Sequence, residues 1–293
     1  MTGAENKPID PCVTTPIVGS DLIALLEARR GDLIDFAVGF AKLAPEPDNA
    51  LLAGSGTLVS ACGTHAILTA AHVIENLPKT GPLGLILPNR LERPFHKLVV
   101  QIQLTEKKVI ARGTNDARGP DLGLLILLPA DADKIKAAGK VFYNLSKRRE
   151  RMRTEPPPLN TKEWLLLSGF VDEWTQNAAP ERDFTWVKSF QGLFALAGLA
   201  GQRREGPFDY LSLKVDCDEA YKGPQSFKGC SGGGVWQAVL GKRDDRLEIH
   251  ELLLVGVAFY QSPEEGNPKS IECHGRTSIY EVAVREINPT VCH

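Results

Sequence analysis

The sequence predicts a mostly β chain: two antiparallel β-barrels or sandwiches of about six strands each, preceded by a helical extension. Three observations carry this reading. Beyond Asn49, short apolar or alternating runs recur at intervals of roughly 8–15 residues, separated by Gly, Pro and Asn. A charged, proline-rich stretch, Ser146–Lys162, divides those runs into two sets. Ahead of both sets, apolar residues recur at helical rather than alternating spacing.

Taken in chain order, residues 1–15 are polar and read as an arm. Leu22, Ile23, Leu25 and Leu26, then Leu33, Ile34, Phe36, Ala37, Phe40 and Ala41, follow helical spacing, with Ser20 or Asp21 as the cap. Gly31 interrupts the run and Pro45–Pro47 stops it, giving an amphipathic extension of about 20–25 residues. Its apolar stripe must pack, on the main body or on a partner. The first strand set is Leu51–Leu52, Thr57–Ser60, Ala66–Thr69, Leu83–Leu87, Leu98–Leu104, Lys108–Arg112 and Leu122–Leu128. The second is Trp164–Phe170, Phe184–Phe190, Tyr210–Val215, Gly234–Leu240, Leu252–Phe259 and Arg276–Val284. Between them, Lys147, Arg148, Arg149, Arg151 and Arg153 followed by Pro156–Pro158 suggest an exposed, solvated connection open to proteolysis. The same charges would also suit an acidic partner. The segments are therefore an arm and helical extension over 1–49, a first β unit over 50–145, a connection over 146–163 and a second β unit over 164–293.

Composition narrows the function classes. The chain has 293 residues, 43% of them apolar, so a sizeable core is expected and wholesale disorder is excluded. A net charge of −2, with no aromatic interleaving of the basic cluster, argues against nucleic acid as the partner. No run approaches the roughly 18–20 apolar residues of a membrane span, and Met1–Cys12 lacks the order of a signal peptide. A soluble, non-exported, cytoplasmic protein is expected. The six cysteines, Cys12, Cys62, Cys217, Cys230, Cys273 and Cys292, form no CxxC pair, so reduced thiols and no metal site are expected.

Three segments carry chemistry. In Leu68-Thr69-Ala70-Ala71-His72-Val73 an apolar strand ends in small residues and presents His72 at a strand-to-loop boundary. In Asp121-Leu122-Gly123-Leu124-Leu125 a lone carboxylate precedes a strand that would bury it. In Lys228-Gly229-Cys230-Ser231-Gly232-Gly233-Gly234-Val235 a hydroxyl is flanked by glycines that free the backbone to turn sharply. Singly, each is commonplace: a structural histidine, a turn aspartate, a chance GxSxG. Jointly, and in the order His, Asp, Ser, they resemble the three signatures of trypsin-like (chymotrypsin-fold) serine proteases, with TAAH, D-L-x-L-L and GxSGG each matched. The resemblance spans about Leu51 to Ile287 and points to a non-secreted, bacterial-type member.

That resemblance implies two six-stranded β-barrels with the site in the cleft between them, and no cofactor. It implies Ser231 as nucleophile, His72 as general base and then acid, and Asp121 as the group orienting the imidazole. The N–H groups of Gly229 and Ser231 would form the oxyanion hole. The substrate would be a protein or peptide, with Gln225 at the base of the primary pocket. Ala258, Phe259, Tyr260, Gln261 and Gly275 would form its walls, and a neutral or apolar P1 side chain is expected. No regulatory partner is identifiable from the sequence. The competing α/β-hydrolase elbow would need a helix after Ser231 and partners such as Asp244, His250 or His274; Gly232–Gly234 and Val235-Trp236 favour a strand instead.

The chain departs from the pattern in two places. Cys230 stands where many relatives carry an aspartate that pairs with a newly cleaved N-terminus, so Ile17-Val18-Gly19-Ser20 reads as a coincidental likeness to a mature start. Val73 replaces the cysteine that follows the histidine in secreted members, leaving Cys62 without its usual partner and most simply a packing residue. The alternative to a protease is a latent or catalytically silent protease-like binding module, regulated by the N-terminal segment or by a partner.

Overall fold

A computed structural model describes residues 19–43, 50–88, 96–101, 105–113, 119–159, 164–178, 187–215, 223–243, 246–262 and 269–289. The arm over 1–15, Ile17, Pro45–Pro47, residues 102–104, Phe184–Trp186 and Asp244 lie outside them, as do Cys12, Cys217 and Cys292.

The chain is mostly β. A first sheet contains β1 (Ala37–Lys42), β2 (Leu51–Ala61), β3 (Thr64–Thr69), β4 (Pro82–Leu87), β5 (His96–Gln101), β6 (Glu106–Arg112) and β7 (Asp121–Ile126) in the order β5-β4-β1-β2-β3-β7-β6. A short β8 (Tyr143–Asn144) pairs with β2. β5 and β6 are opposite edges, and a flat path of seven strands would part them by about 29 Å. Only residues 102–105 join them, a reach of about 18 Å, so the sheet must curl into a half-barrel. The second sheet closes fully: β12 (Gly192–Glu205), β13 (Phe208–Val215), β16 (Lys269–His274), β15 (Arg246–Gln261), β14 (Gly234–Arg243) and β9 (Trp164–Phe170) form a six-stranded antiparallel barrel. A small hairpin of β10 (Gln176–Ala178) and β11 (Val187–Ser189) stands apart. This arrangement is consistent with the expected chymotrypsin-like pair of barrels, the first remaining open along its ladder.

The helical extension is shorter than its spacing suggests. α1 (Gly19–Ile34) packs on the second barrel, where Arg29 Nη2 donates to Ile249 O at 2.6 Å and Leu33 is buried. Phe36–Ala41 leaves the helix: Ala37–Lys42 is β1, hydrogen-bonded to both β2 and β4. Pairing on both sides with both faces buried outweighs the helical spacing, and Val38 and Gly39 are weak helix formers. The basic connection is also corrected. Leu145–Thr154 is α4, following α3 (Pro129–Ala137), and is capped by Asn144, whose Oδ1 accepts the Lys147 N–H at 2.9 Å. Its Leu145 and Met152, seven residues apart on one face, are buried, while Arg148 and Arg151 pair with Glu251 and Arg149 with Glu281.

The strand expected over Arg276–Val284 is helical instead: a π-helical turn, Ser278–Ala283, leads into α5 (Val284–Ile287). The Asp209 carboxylate on β13 accepts the N–H groups of Thr277 (3.0 Å) and Ser278 (2.7 Å), so the start of this helical segment is held from another strand. The largest cluster of buried apolar side chains draws on both sheets. Trp236 of β14 is fully buried against Phe36 (5.1 Å, stacked) and Tyr143 (5.3 Å, edge-on), and its indole N–H donates to Ser168 Oγ.

Candidate active site

β3 and β7 run antiparallel with Thr69 opposite Gly123, so the C-terminal end of one lies beside the N-terminal end of the other. His72 follows β3 in the first turn of α2 (Ala71–Asn76), and Asp121 opens β7. The carboxylate accepts twice from His72: the backbone N–H reaches Oδ1 at 2.9 Å, and Nδ1 lies 2.7 Å from Oδ2. Burial pushes the Asp121 carboxyl up, but the hydrogen bonds and charge of His72, with the Arg112 guanidinium, outweigh it and hold it below the ordinary carboxylate range. An ionised Asp121 only accepts, so His72 Nδ1 carries the proton of that hydrogen bond.

Two further side chains fix Asp121, and no local sequence signal marks either. Arg112, opposite Asp121 in the β6–β7 ladder, donates to Oδ2 at 2.6 Å and pairs with Glu75 of α2 at 3.2 Å. His274 of β16 accepts the Asp121 N–H on Nε2 at 2.9 Å. It is fully buried among Tyr210, Phe259 and Phe208, and burial lowers its pKa to about 4. His274 thus belongs beside the predicted aspartate rather than in an elbow-type triad after Ser231. A strand, β14, follows the serine loop, as expected against the hydrolase alternative.

The serine loop comes from the second barrel and is pinned to β2 of the first sheet. The Ser55 N–H donates to Ser231 O at 2.8 Å, and the Ser55 hydroxyl donates to Gly229 O at 2.7 Å. At Gly232, φ is +90°, and a Cβ there would lie 2.0 Å from Ser55 O and 2.1 Å from Thr69 Oγ1; only glycine fits. Gly54 lies between the histidine and serine segments, since a Cβ on it would meet Val73 at 2.7 Å and Ser231 O at 3.4 Å. The Ser231 hydroxyl donates to Phe259 O at 3.3 Å, and among the described residues no hydrogen bond joins it to His72. That carbonyl is open to it because the β15–β16 register slips between Ala258 and Tyr260. Gly229 has φ +95°, and among the described residues neither its N–H nor that of Ser231 has a protein acceptor.

The expected pocket residues are placed as follows. Gln225 is exposed rather than at the base of an enclosed pocket, and its N–H donates to Glu173. Ala258 is buried and its carbonyl accepts the Gly232 N–H; the Phe259 ring packs at a tilt against His274; Tyr260 is half-buried. Gln261 Oε1 accepts the Phe227 N–H at 2.8 Å, and Gly275 is buried with its N–H on Asp209 O. Cys230 and Cys273 are free and buried, whereas Cys62 is disulfide-bonded, which corrects its reading as a packing thiol. The cross-link is a tertiary contact that spacing does not encode. Among the described residues no cluster of three His, Cys, Asp or Glu side chains is placed to hold a metal ion, and no helix is long and apolar enough to cross a membrane.

No protein-family model and no curated protein sequence matches the chain. A solved structure from work on the Sesbania mosaic virus VPg protein is similar over 86% of this chain and 91% of its own, with a TM-score of 0.45 and 13% identity. At that level the likeness carries no argument about activity.

Proposed function

We propose that the chain is a trypsin-like serine endopeptidase. The observation that carries the reading is an imidazole held on a buried carboxylate, next to a serine loop whose two oxyanion-type N–H groups have no protein acceptor among the described residues. In this mechanism the Ser231 hydroxyl leaves Phe259 O and donates to His72 Nε2. Ser231 Oγ attacks the scissile carbonyl as its proton passes to Nε2, and the Gly229 and Ser231 N–H groups take the oxyanion. His72 then gives that proton to the leaving amine, and water releases the acyl group by the same route. Asp121 stays ionised throughout. The substrate we propose is a protein or peptide with a neutral or apolar P1 side chain. A cytoplasmic setting is part of the proposal.

A second reading, a latent or silent protease-like module, is favoured by one observation: the nucleophile's hydrogen bond lies on Phe259 O. Fluorophosphonate labelling of the full chain separates the two. Labelling is expected for the parent and absent in Ser231→Ala and His72→Ala; an unlabelled, folded parent favours latency. Cleavage of a peptide library only after Lys or Arg would overturn the P1 expectation.

A further inference from the structure

The residue before the nucleophile gives the oxyanion loop no charged anchor. Cys230, the residue before the nucleophile, is buried, free and neutral, its thiol pushed up to about 12 by burial. An ammonium inserted beside it would find no counter-charge. Yet residues 225–231 hold a positive-φ geometry at Gly229, and a preformed oxyanion hole requires its donors to be fixed before substrate arrives.

The fixing groups lie outside the loop, on the three-residue turn Asp172–Trp174 that follows β9. Glu173 accepts twice from backbone: Gln225 N–H on Oε1 and Ser226 N–H on Oε2, each at 2.9 Å. The neighbouring Asp172 N–H donates to Lys228 O at 2.8 Å, and its carboxylate pairs with Lys228 Nζ at 3.0 Å. A trans peptide opposes its C=O and N–H, so a Lys228 carbonyl tied to Asp172 turns the Gly229 N–H to the opposite side. Val171, between the end of β9 and this turn, is buried.

We propose that Glu173 is a positioning residue: by clamping Gln225 and Ser226 from outside it preforms the oxyanion loop in the uncut chain, so that no new N-terminus is needed. This rests on the serine-hydrolase reading. The clamp draws on a charge-assisted acceptor for two N–H groups, which a neutral side chain supplies only in part.

The test compares the full-length parent, Glu173→Ala and Glu173→Gln by fluorophosphonate labelling rate, peptidase kinetics and amide hydrogen exchange. Glu173→Ala is expected to slow labelling by roughly tenfold or more, approaching the scale of losing an oriented oxyanion donor. The loss should fall on kcat, with KM nearly unchanged. Exchange should quicken at Gln225 and Ser226 while strands of the second barrel stay protected, and Glu173→Gln should fall between. Parent-like labelling in Glu173→Ala, or Gln225 and Ser226 amides that exchange as fast in the parent, overturns the proposal. If Glu173→Ala loses barrel protection, Glu173→Gln is read instead, and parent-like behaviour in it is equally fatal. An unlabelled, folded parent favours the latent or silent reading over an active hydrolase, while exchange at the two amides still decides the clamp.

Discussion

His274 shows how one buried side chain ties the strand end that carries Asp121 to the pH response of the whole fold without itself touching substrate. Its Nε2 must stay unprotonated to accept the Asp121 N–H, and its aromatic surroundings exclude water. The folded pKa is about 4 against an ordinary 6.5, so between those values the unfolded chain binds the extra proton. Stability is therefore full above pH 6.5 and falls as pH drops toward 4. From about pH 7 to about pH 5 the loss is expected to be about 2 kcal/mol by linkage, read from urea unfolding at each pH. His274→Gln, which keeps an acceptor but does not titrate, should flatten that window; an equally steep variant would refute the assignment. Asp121 acts lower on the scale: its depressed folded pKa gives stability that is present above the ordinary carboxylate range and lost only as pH falls through the folded value.

Among the elements, α4 is the clearest case of charge concealing structure. Five basic residues from Lys147 to Arg153 read as a solvated loop, yet the spacing of Leu145 and Met152 sets a buried seam and Asn144 caps the start. The energetics should follow the seam rather than the charges. Leu145→Ala is expected to cost about 2–4 kcal/mol in urea unfolding, and Arg153→Ala, whose pair with Glu150 is exposed, less than about 1 kcal/mol. A larger loss for the arginine would reverse this view. By contrast β3, β7 and β9 were legible directly, because short apolar runs bounded by turn residues have few alternatives. β1 was not, because Phe36–Ala41 fits helical spacing and only pairing with β2 and β4 makes it a strand.

At the scale of the molecule, one hydroxyl fastens the two sheets where the candidate site lies. Ser55 of β2 is buried, accepts the Phe170 N–H of β9 at 2.8 Å and donates to Gly229 O. Ser55→Ala leaves a buried donor and a half-buried acceptor unmatched, so a loss of about 1–3 kcal/mol in urea unfolding and slower fluorophosphonate labelling are expected. Unchanged stability would show that the pin is dispensable. The sequence by itself determined the β class, the division into two units and the three segments that hold His72, Asp121 and Ser231, because strand periodicity, glycine backbone freedom and residue chemistry are local properties. Only the tertiary structure decided that Arg112 and His274 flank Asp121, that Asp209 starts the C-terminal helical segment and that Glu173 holds the loop carrying Gln225 and Ser226. Each of these is a contact between residues set apart along the chain, made by strand register and barrel closure, and no local pattern encodes such a meeting.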